Sequence, residues 1–467
     1  MTDQLGTDRT TRHAVVIGGS IAGLLAARVL AEHAERVTVV ERDRFPEEPG
    51  PRAGVPQGRH LHVLIDGGQR ALGQLLPGVL DELREQGSPK VGMPEDVVQW
   101  QGGVWYRRTP ASAHLFTGSR PLVEQVVRRR VLADPRIEVV EGTEAVGLAG
   151  DATRVRGVRL RERGAGRTEG TRTLEADLVV DASGRGSRAP QWLAELGAEP
   201  PREEVIDTGL AYATRVYRPG PAADTGDFTG QYIVPNPEQT YSGVVLPIEG
   251  GRCLVTLSGL RGQEPPTDED AFEAYAERLP HPVLRDWLAK AEPVSAVHGF
   301  RTTANVRRRY DLPGRRPAGF LATGDALCTF NPIYGQGMSV AAIGAVALRE
   351  ALGDPRRTPT TRRVQRVLCD AARQAWDISA GADKNMPGAR GDAARTRAAD
   401  RPAAWYLRRV QERAPGDPVV GAAFRSALSL AEPLTALFAP PVLRAVLFGP
   451  VRPAPVEPPL HKEGTEG

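Results

Sequence analysis

Between His13 and Asp43 the run HAVVIGGSIAGLLAARVLAEHAERVTVVERD carries small residues at spacings suited to handling a pyrophosphate. Gly18 can make a tight turn behind an apolar strand, and Gly19 and Ser20 keep the backbone bare beside the phosphates. Ala22 and Gly23 let the next helix pack close to a sheet. That helix then presents its N-terminus to the phosphate charge. Ser20 stands where the second glycine of G-x-G-x-x-G usually sits, so the pattern is also compatible with an ordinary βαβ unit. Glu41, 23 residues after Gly18 and followed by Arg42, ends the second apolar run. A carboxylate there accepts ribose hydroxyls and repels a 2′-phosphate, which suits FAD or NAD better than NADP.

A second cluster lies some 300 residues further on, in GFLATGDALCTFNPIYGQGMSVAAIGAVAL from Gly319 to Leu348. An apolar strand ends at Gly324 and Asp325, a loop holds Pro332, and Gly335, Gln336, Gly337 and Met338 open a helix. An acid after a strand can bind a ribityl hydroxyl, and backbone N–H groups at a helix start can stabilise negative charge on a reduced flavin ring. Two such sites at opposite ends of one chain imply a single long cofactor.

Two further elements fit this pairing. The run from Asp177 to Ser187 delivers Asp181, a glycine turn and Arg185 from an apolar strand, and Arg120 precedes a helical pattern at Leu122, Val126, Val127 and Val131. Together these motifs resemble the FAD monooxygenases built like the aromatic hydroxylases. Within that group, Arg52-Ala-Gly-Val-Pro-Gln57 with Arg59-His60-Leu-His62 resembles the bacterial polyether epoxidases, distant relatives of squalene epoxidase. So do the run Gly209 to Tyr217, the loop Pro332 to Met338 and the tail Phe448 to Pro459. The resemblance runs nearly end to end.

It implies FAD held by the residues above together with Arg52, His60 and Arg120, NAD(P)H or a separate reductase as electron source, and O2. It further implies epoxidation of a polyene polyketide, free or bound to a carrier protein, through an FAD C4a-hydroperoxide, in polyether ionophore biosynthesis. The cofactor then carries the chemistry. An alkene needs no side-chain base, so no catalytic side chain is expected beyond the backbone of Gly335 to Met338. Three other readings share the motifs: an aromatic hydroxylase, a flavin-dependent isoprenoid reductase that consumes no O2, and a non-catalytic flavin or lipid carrier.

The fold that must position these groups is of the α/β class, a Rossmann-like FAD-binding domain interleaved with an antiparallel-sheet substrate domain and followed by C-terminal helices. The expected divisions are 1–200 and 301–352 for FAD, 201–300 for substrate, 353–450 for helices, and a loose tail at 451–467, rich in Pro, Glu and Gly. Runs Gly209 to Tyr217, Gln231 to Pro235, Tyr241 to Pro247 and Arg252 to Ser258 alternate like strands, and Asp270 to Leu279 and Pro282 to Ala291 read as helices. This sheet is expected to roof the flavin, with Leu210, Tyr212, Val216, Tyr232, Val244 and Leu246 against substrate and Leu254 and Leu257 extending an apolar lining. Arg154 to Arg172 reads as a hairpin around Gly164 to Gly166.

Composition excludes several other classes. The 60 basic and 57 acidic residues leave a net charge of +3 spread along the chain, which argues against nucleic-acid binding. The three cysteines, Cys253, Cys328 and Cys369, suit neither a disulfide framework nor a zinc site. His60 and His62 lack a third ligand nearby, so no metal is expected. There is no W-x-W-x-I-P run of the flavin halogenases. The N-terminal residues lack a signal-peptide layout and no stretch of 18 uncharged apolar residues occurs, so the expected location is the cytoplasm. Pro433 to Pro450 reads as two short helices packed on the core, since Pro440 and Pro441 interrupt any long amphipathic surface.

Overall fold

The computed structural model describes residues 11–166, 170–220, 226–301, 303–394 and 401–462. At its centre is a five-stranded parallel sheet in the order Phe320–Ala322, Leu178–Asp181, Thr11–Ile17, Ala34–Val40, Ile137–Val140. Strands covered on both faces read as unbroken apolar runs, and Ala14, Val15, Val16, Val179 and Val180 are fully buried. Helices Ile21–Leu30 and Gly337–Gly353 pack against each other in the same core. This contact brings the two glycine-rich motifs together although they stand some 300 residues apart in the chain. Near Gly164 an antiparallel pair does form, but Val155–Glu162 pairs with Arg172–Glu175, so the return strand starts where the expected one ended; Thr143–Gly150 extends this sheet, and residues 167–169 lie outside those described.

The second sheet has eight strands and is antiparallel apart from one pairing. It contains Ala211–Arg218, Gly230–Ile233, Ser242–Ile248 and Arg252–Gly259, and it also recruits Val97–Gln101 and Val104–Trp105 from ahead of residue 200. Side chains alternate between its faces. One face is covered by helices Glu269–Tyr275 and Val283–Leu288, whose Phe272, Leu284 and Trp287 pack on Ala213, Tyr217, Ile233, Val245, Val255 and Leu257. The other face turns toward the cofactor-binding region and meets a small sheet of Val63–Ile65, Ala113–Thr117 and Lys90–Met93.

The C-terminal helices divide into two groups. Thr361–Ala371 and Arg373–Asp383 add Val364, Leu368 and Trp376 to the main core, whereas Arg401–Arg413, Pro418–Leu428 and Pro440–Leu447 build a separate cluster around Tyr106. Within Pro433 to Pro450 two short helices do form, with Leu437, Val442 and Val446 buried, but Phe448 points into solvent at 83% exposure. The tail departs from the expectation of a loose segment. Backbone N–H groups of Trp105 and Asp227 donate to Pro455 and Leu460, and the Lys462 ammonium reaches Glu95 at 3.1 Å and Asp96 at 3.2 Å. Its prolines leave carbonyls free to serve as acceptors along the body of the protein; the last five residues lie outside those described. Among the described residues, no helix is long and apolar enough to cross a membrane.

Candidate active site

The glycine turn is sterically compelled. Gly18 adopts φ +102° and donates its N–H to Val40 O at 2.8 Å, and a Cβ there would lie 2.6 Å from the Ala182 carbonyl oxygen. A Cβ on Gly23 would collide with the carbonyl oxygen of Gly18. Ser20 precedes the helix without capping it through its side chain. Its hydroxyl instead donates to Glu124 Oε2 and accepts from Arg120, both at 2.8 Å. Arg120 is the first residue of helix Arg120–Leu132, fixed there by the Ser119 cap and by Pro121. Glu124, one turn on, also receives Arg52 through Nε at 2.9 Å and through a second, closer nitrogen. The remaining Arg52 nitrogen lies 3.3 Å from Glu41 and 3.6 Å from Asp43. Glu41 in turn accepts the N–H groups of Gly19 at 2.8 Å and Asp43 at 2.9 Å.

These buried charges hold one another around the turn. Burial opposes ionisation of Glu124, but Arg120 and Arg52 outweigh it and hold the carboxyl below its ordinary range. Sequence reading singled out Arg52, Arg120, Ser20 and Glu41 separately and missed the residue that joins three of them. Its signal was the i, i+4 spacing to Arg120. Arg42 stays outside this group, exposed, with its guanidinium on the Gly54 carbonyl at 3.0 Å.

At the other end, a Cβ on Gly324 would come within 2.5 Å of Ala22, so the two motifs touch. Asp325 is partly accessible, and its carboxylate makes no hydrogen bond with any described residue. Burial raises its pKa, and Arg185, Arg120 and Arg308 oppose that rise. Asp181, expected to touch the cofactor, is corrected by the structure: it is fully buried and both oxygens are occupied. One accepts the Ser183 N–H at 2.9 Å and the other the Ser187 hydroxyl at 2.5 Å, which fixes the turn after its strand.

The loop from Pro332 to Met338 is exposed at Pro332 and Gly337 and turns through Gly335 at φ +63°. Nothing stands within 4 Å of a Cβ built on Gly337, the Gln336 Oε1 is buried without a partner, and the N–H groups of Gly337 and Met338 have no acceptor among the described residues. Met338 itself is core. The loop is anchored by Asp383, which accepts from Asn305 at 2.6 Å, Asn331 at 3.0 Å and the Tyr334 hydroxyl at 2.6 Å. This anchor comes from the C-terminal helices and carried no motif in the sequence. An open glycine cradle, unpartnered helix-start N–H groups and a free carboxylate match the donors and acceptors that a phosphate-bearing, polyhydroxylated flavin nucleotide needs.

Above the loop stands the sheet. Its backbone register aligns Thr214, Thr256, Val244, Tyr232, Gln99 and Tyr106 in one row across six strands. Tyr232, its hydroxyl pushed up to about 12 by burial, reaches the Ile333 carbonyl at 3.5 Å. Val244 and Leu246 pack with Met93, Leu115 and Val63. Leu210 and Tyr212 form a cluster with Leu260, Phe300 and Ile333. Val216 shares the face but lies nearer the sheet's end, beside Ser295. Leu257 is corrected: by alternation it belongs to the helix-covered face, where it is fully buried.

The roof is also more polar than the sequence suggested, because Thr214, Thr256 and Gln99 lie in its central row. Among the described residues no carboxylate lies on this face in the rows from Tyr212 to Val216; Glu292 follows one row further on, opposite Arg218 at the sheet's end. His60, expected among the cofactor contacts, lies against this face of the sheet. Its Nδ1 meets Thr214 Oγ1 at 3.0 Å, and its ring packs edge-on against Tyr212 and Phe300. Burial, then His298 and Arg59, lowers its pKa to about 4; burial and Arg120 lower that of His62 to about 3. Both imidazoles are neutral at physiological pH.

Comparison with known proteins places this geometry. The FAD binding domain family matches residues 11–365. Protein Rv3254 of Mycobacterium tuberculosis is 37% identical over 363 residues, covering 75% of each chain. The 6-methylpretetramide 4-monooxygenase of Streptomyces rimosus is 27% identical over 384 residues, covering 75% of this chain and 81% of that one. Among solved structures, p-nitrophenol 4-monooxygenase PnpA of Pseudomonas putida superposes with a TM-score of 0.62 at 17% identity, over 90% of this chain and 99% of that one. At that identity the likeness is one of fold.

Proposed function

We propose that this chain, which belongs to the FAD binding domain family of flavin-dependent monooxygenases, epoxidises alkenes of a polyene polyketide precursor in polyether ionophore biosynthesis. The reading places the enzyme in the cytoplasm, with NAD(P)H or a partner reductase as electron source. Reduced FAD, once bound and met by O2, supplies an electrophilic oxygen. With FAD bound, Ser20, Arg52 and Arg120 would hold the pyrophosphate, Glu41 the ribose, Asp325 the ribityl chain, and the Gly337 and Met338 N–H groups the ring. The sheet excludes water and presents the alkene.

The observation that carries this reading is that, among the described residues, the central rows of the sheet above the loop offer His60 as a base and no carboxylate. Hydroxylation of a phenol benefits from its deprotonation. With an ordinary phenolic pKa near 10 and a His60 conjugate acid at about 4, transfer to that imidazole is uphill by about 8 kcal/mol. An alkene requires no such transfer. Ring hydroxylation is the second reading, supported by the 6-methylpretetramide 4-monooxygenase among the relatives. The test is whether oxygen from O2 enters a triene rather than a phenol when enzyme, FAD and reductant are incubated in air.

A further inference from the structure

Arg425 presents a problem that nothing so far resolves. It lies on helix Pro418–Leu428, is only 8% exposed, and has no carboxylate partner among the described residues. Its Nε donates to Ser112 Oγ at 2.8 Å and its guanidinium lies 5.8 Å from the centre of the Tyr106 ring. Its terminal guanidinium nitrogens have no hydrogen-bond partner among the described residues and are not sealed from solvent, so they stay open to an anion. Burial lowers its pKa to about 10, which still leaves it charged at neutral pH.

Its position gives the deficit a meaning. Tyr106 ends the row of residues that crosses the roof, and its N–H donates to the Gln99 carbonyl at 2.8 Å. Gln99 pairs with Tyr232, the residue that touches the flavin loop. With strands about 4.8 Å apart, Tyr106 stands about 10 Å along the row from Tyr232. Gln99 is itself 8% exposed, and its side-chain oxygen has no partner. Rotation about its last torsion can present the NH2 group instead. Ser112 leads into the strand that carries Leu115, which packs with Met93 and Val244, so Arg425 is tied by its hydrogen bond to the segment bordering the apolar part of the roof, while Tyr106 packs with the C-terminal helices.

We propose that Arg425, with Gln99, is the anion subsite of the substrate cavity, and that the substrate is a polyene carboxylate held by its acid end about 10 Å from the row position over the flavin loop. This inference rests on the reading of the preceding section, in which the sheet roofs a substrate cavity over the flavin loop, and narrows its substrate class. It favours a free acid over a thioester bound to a carrier protein, because a thioester has no charge to offer Arg425. A fixed end also sets which alkene stands over the ring, a selection that an apolar wall alone makes only weakly.

The experiment uses FAD-loaded enzyme titrated with all-trans-retinoate and all-trans-retinol, polyenes that differ in carboxylate against hydroxymethyl, with binding read from the flavin absorbance and fluorescence. Wild-type enzyme is expected to bind retinoate at least tenfold more tightly. Arg425→Gln should weaken retinoate ten- to a hundredfold and retinol less than threefold, and Arg425→Lys should restore most of the difference. Gln99→Leu should weaken retinoate three- to tenfold. Equal wild-type affinities, or equal losses of both ligands in Arg425→Gln, would overturn the anion subsite while leaving the roofed cavity standing. If neither ligand perturbs the flavin, both are overturned. The wild-type comparison needs no variant, and the melting temperature and FAD affinity of each variant show whether it folds.

Discussion

Replacing Asp325 by alanine separates a cofactor-binding role from a structural one. The carboxylate makes no hydrogen bond with any described residue and faces Arg185, Arg120 and Arg308. If it accepts a ribityl hydroxyl, its loss removes a hydrogen bond to a charged group worth about 1.5–3 kcal/mol, or about 13- to 160-fold in the FAD dissociation constant. The apoprotein should respond in the opposite sense. Because burial raises the native pKa, the folded state holds the proton more tightly than the unfolded chain. Asp325 therefore costs the apoprotein stability as pH rises from the ordinary carboxyl value through the raised native one.

At pH 7.5 the apo Asp325→Ala protein should accordingly melt no lower than apo wild type. With FAD at 1,000 times the wild-type dissociation constant, ligand stabilises wild type by about 4.1 kcal/mol; a hundredfold weaker variant keeps about 1.4 kcal/mol. Fluorescence titration and thermal melts with and without FAD read both quantities. An FAD affinity within threefold of wild type, or an apoprotein destabilised as much as the holoprotein, would refute the reasoning.

Glu124→Ala strips Arg52 and Arg120 of their shared carboxylate and should destabilise the apoprotein by about 3–5 kcal/mol, with part of the loss recovered on adding FAD, whose phosphates take its place; urea unfolding with and without FAD checks both. His60 tests the roof: its native pKa of about 4 lies below the ordinary 6.5, so the stability it contributes is complete above pH 6.5 and is lost as pH falls toward 4. Between pH 7 and 4, wild type should lose about 3 kcal/mol more than His60→Asn, and parallel curves in urea unfolding would contradict a buried neutral imidazole.

The cofactor half was readable because its signals are local. Gly18 and Gly23 are imposed by backbone collisions, Glu41 follows directly on an apolar strand, and Asp325 lies in the short turn Gly324–Ala326 just beyond another. The strands of the roof were legible from their period of two, as was the face carrying Tyr212, Val216, Tyr232, Val244 and Leu246. Leu257 was misplaced because an apolar residue suits either face of a sheet covered on both sides. Asp181 was misread because its partners, Ser183 and Ser187, form a turn that spacing alone does not reveal. Asp383, Gln99 and Arg425 meet partners distant in sequence, and no local pattern marks such contacts; Glu124 offered only its i, i+4 spacing to Arg120. The tail misled for a related reason. Its composition describes an unbound chain, whereas its carbonyls find donors on the 104–108 segment and Asp227.

The central claim is the transfer of one oxygen atom from O2 to an alkene without side-chain base catalysis. The most direct measurement incubates FAD-loaded enzyme, a reductant and a triene carboxylic acid under 18O2, and analyses the products by mass and by their opening to diols. The account predicts mass increases of one 18O atom per reacted alkene, present as epoxide, with no comparable incorporation into a phenol of similar size. Reductant consumed with 18O appearing on the phenol ring instead, or a triene reduced without oxygen uptake, would contradict it.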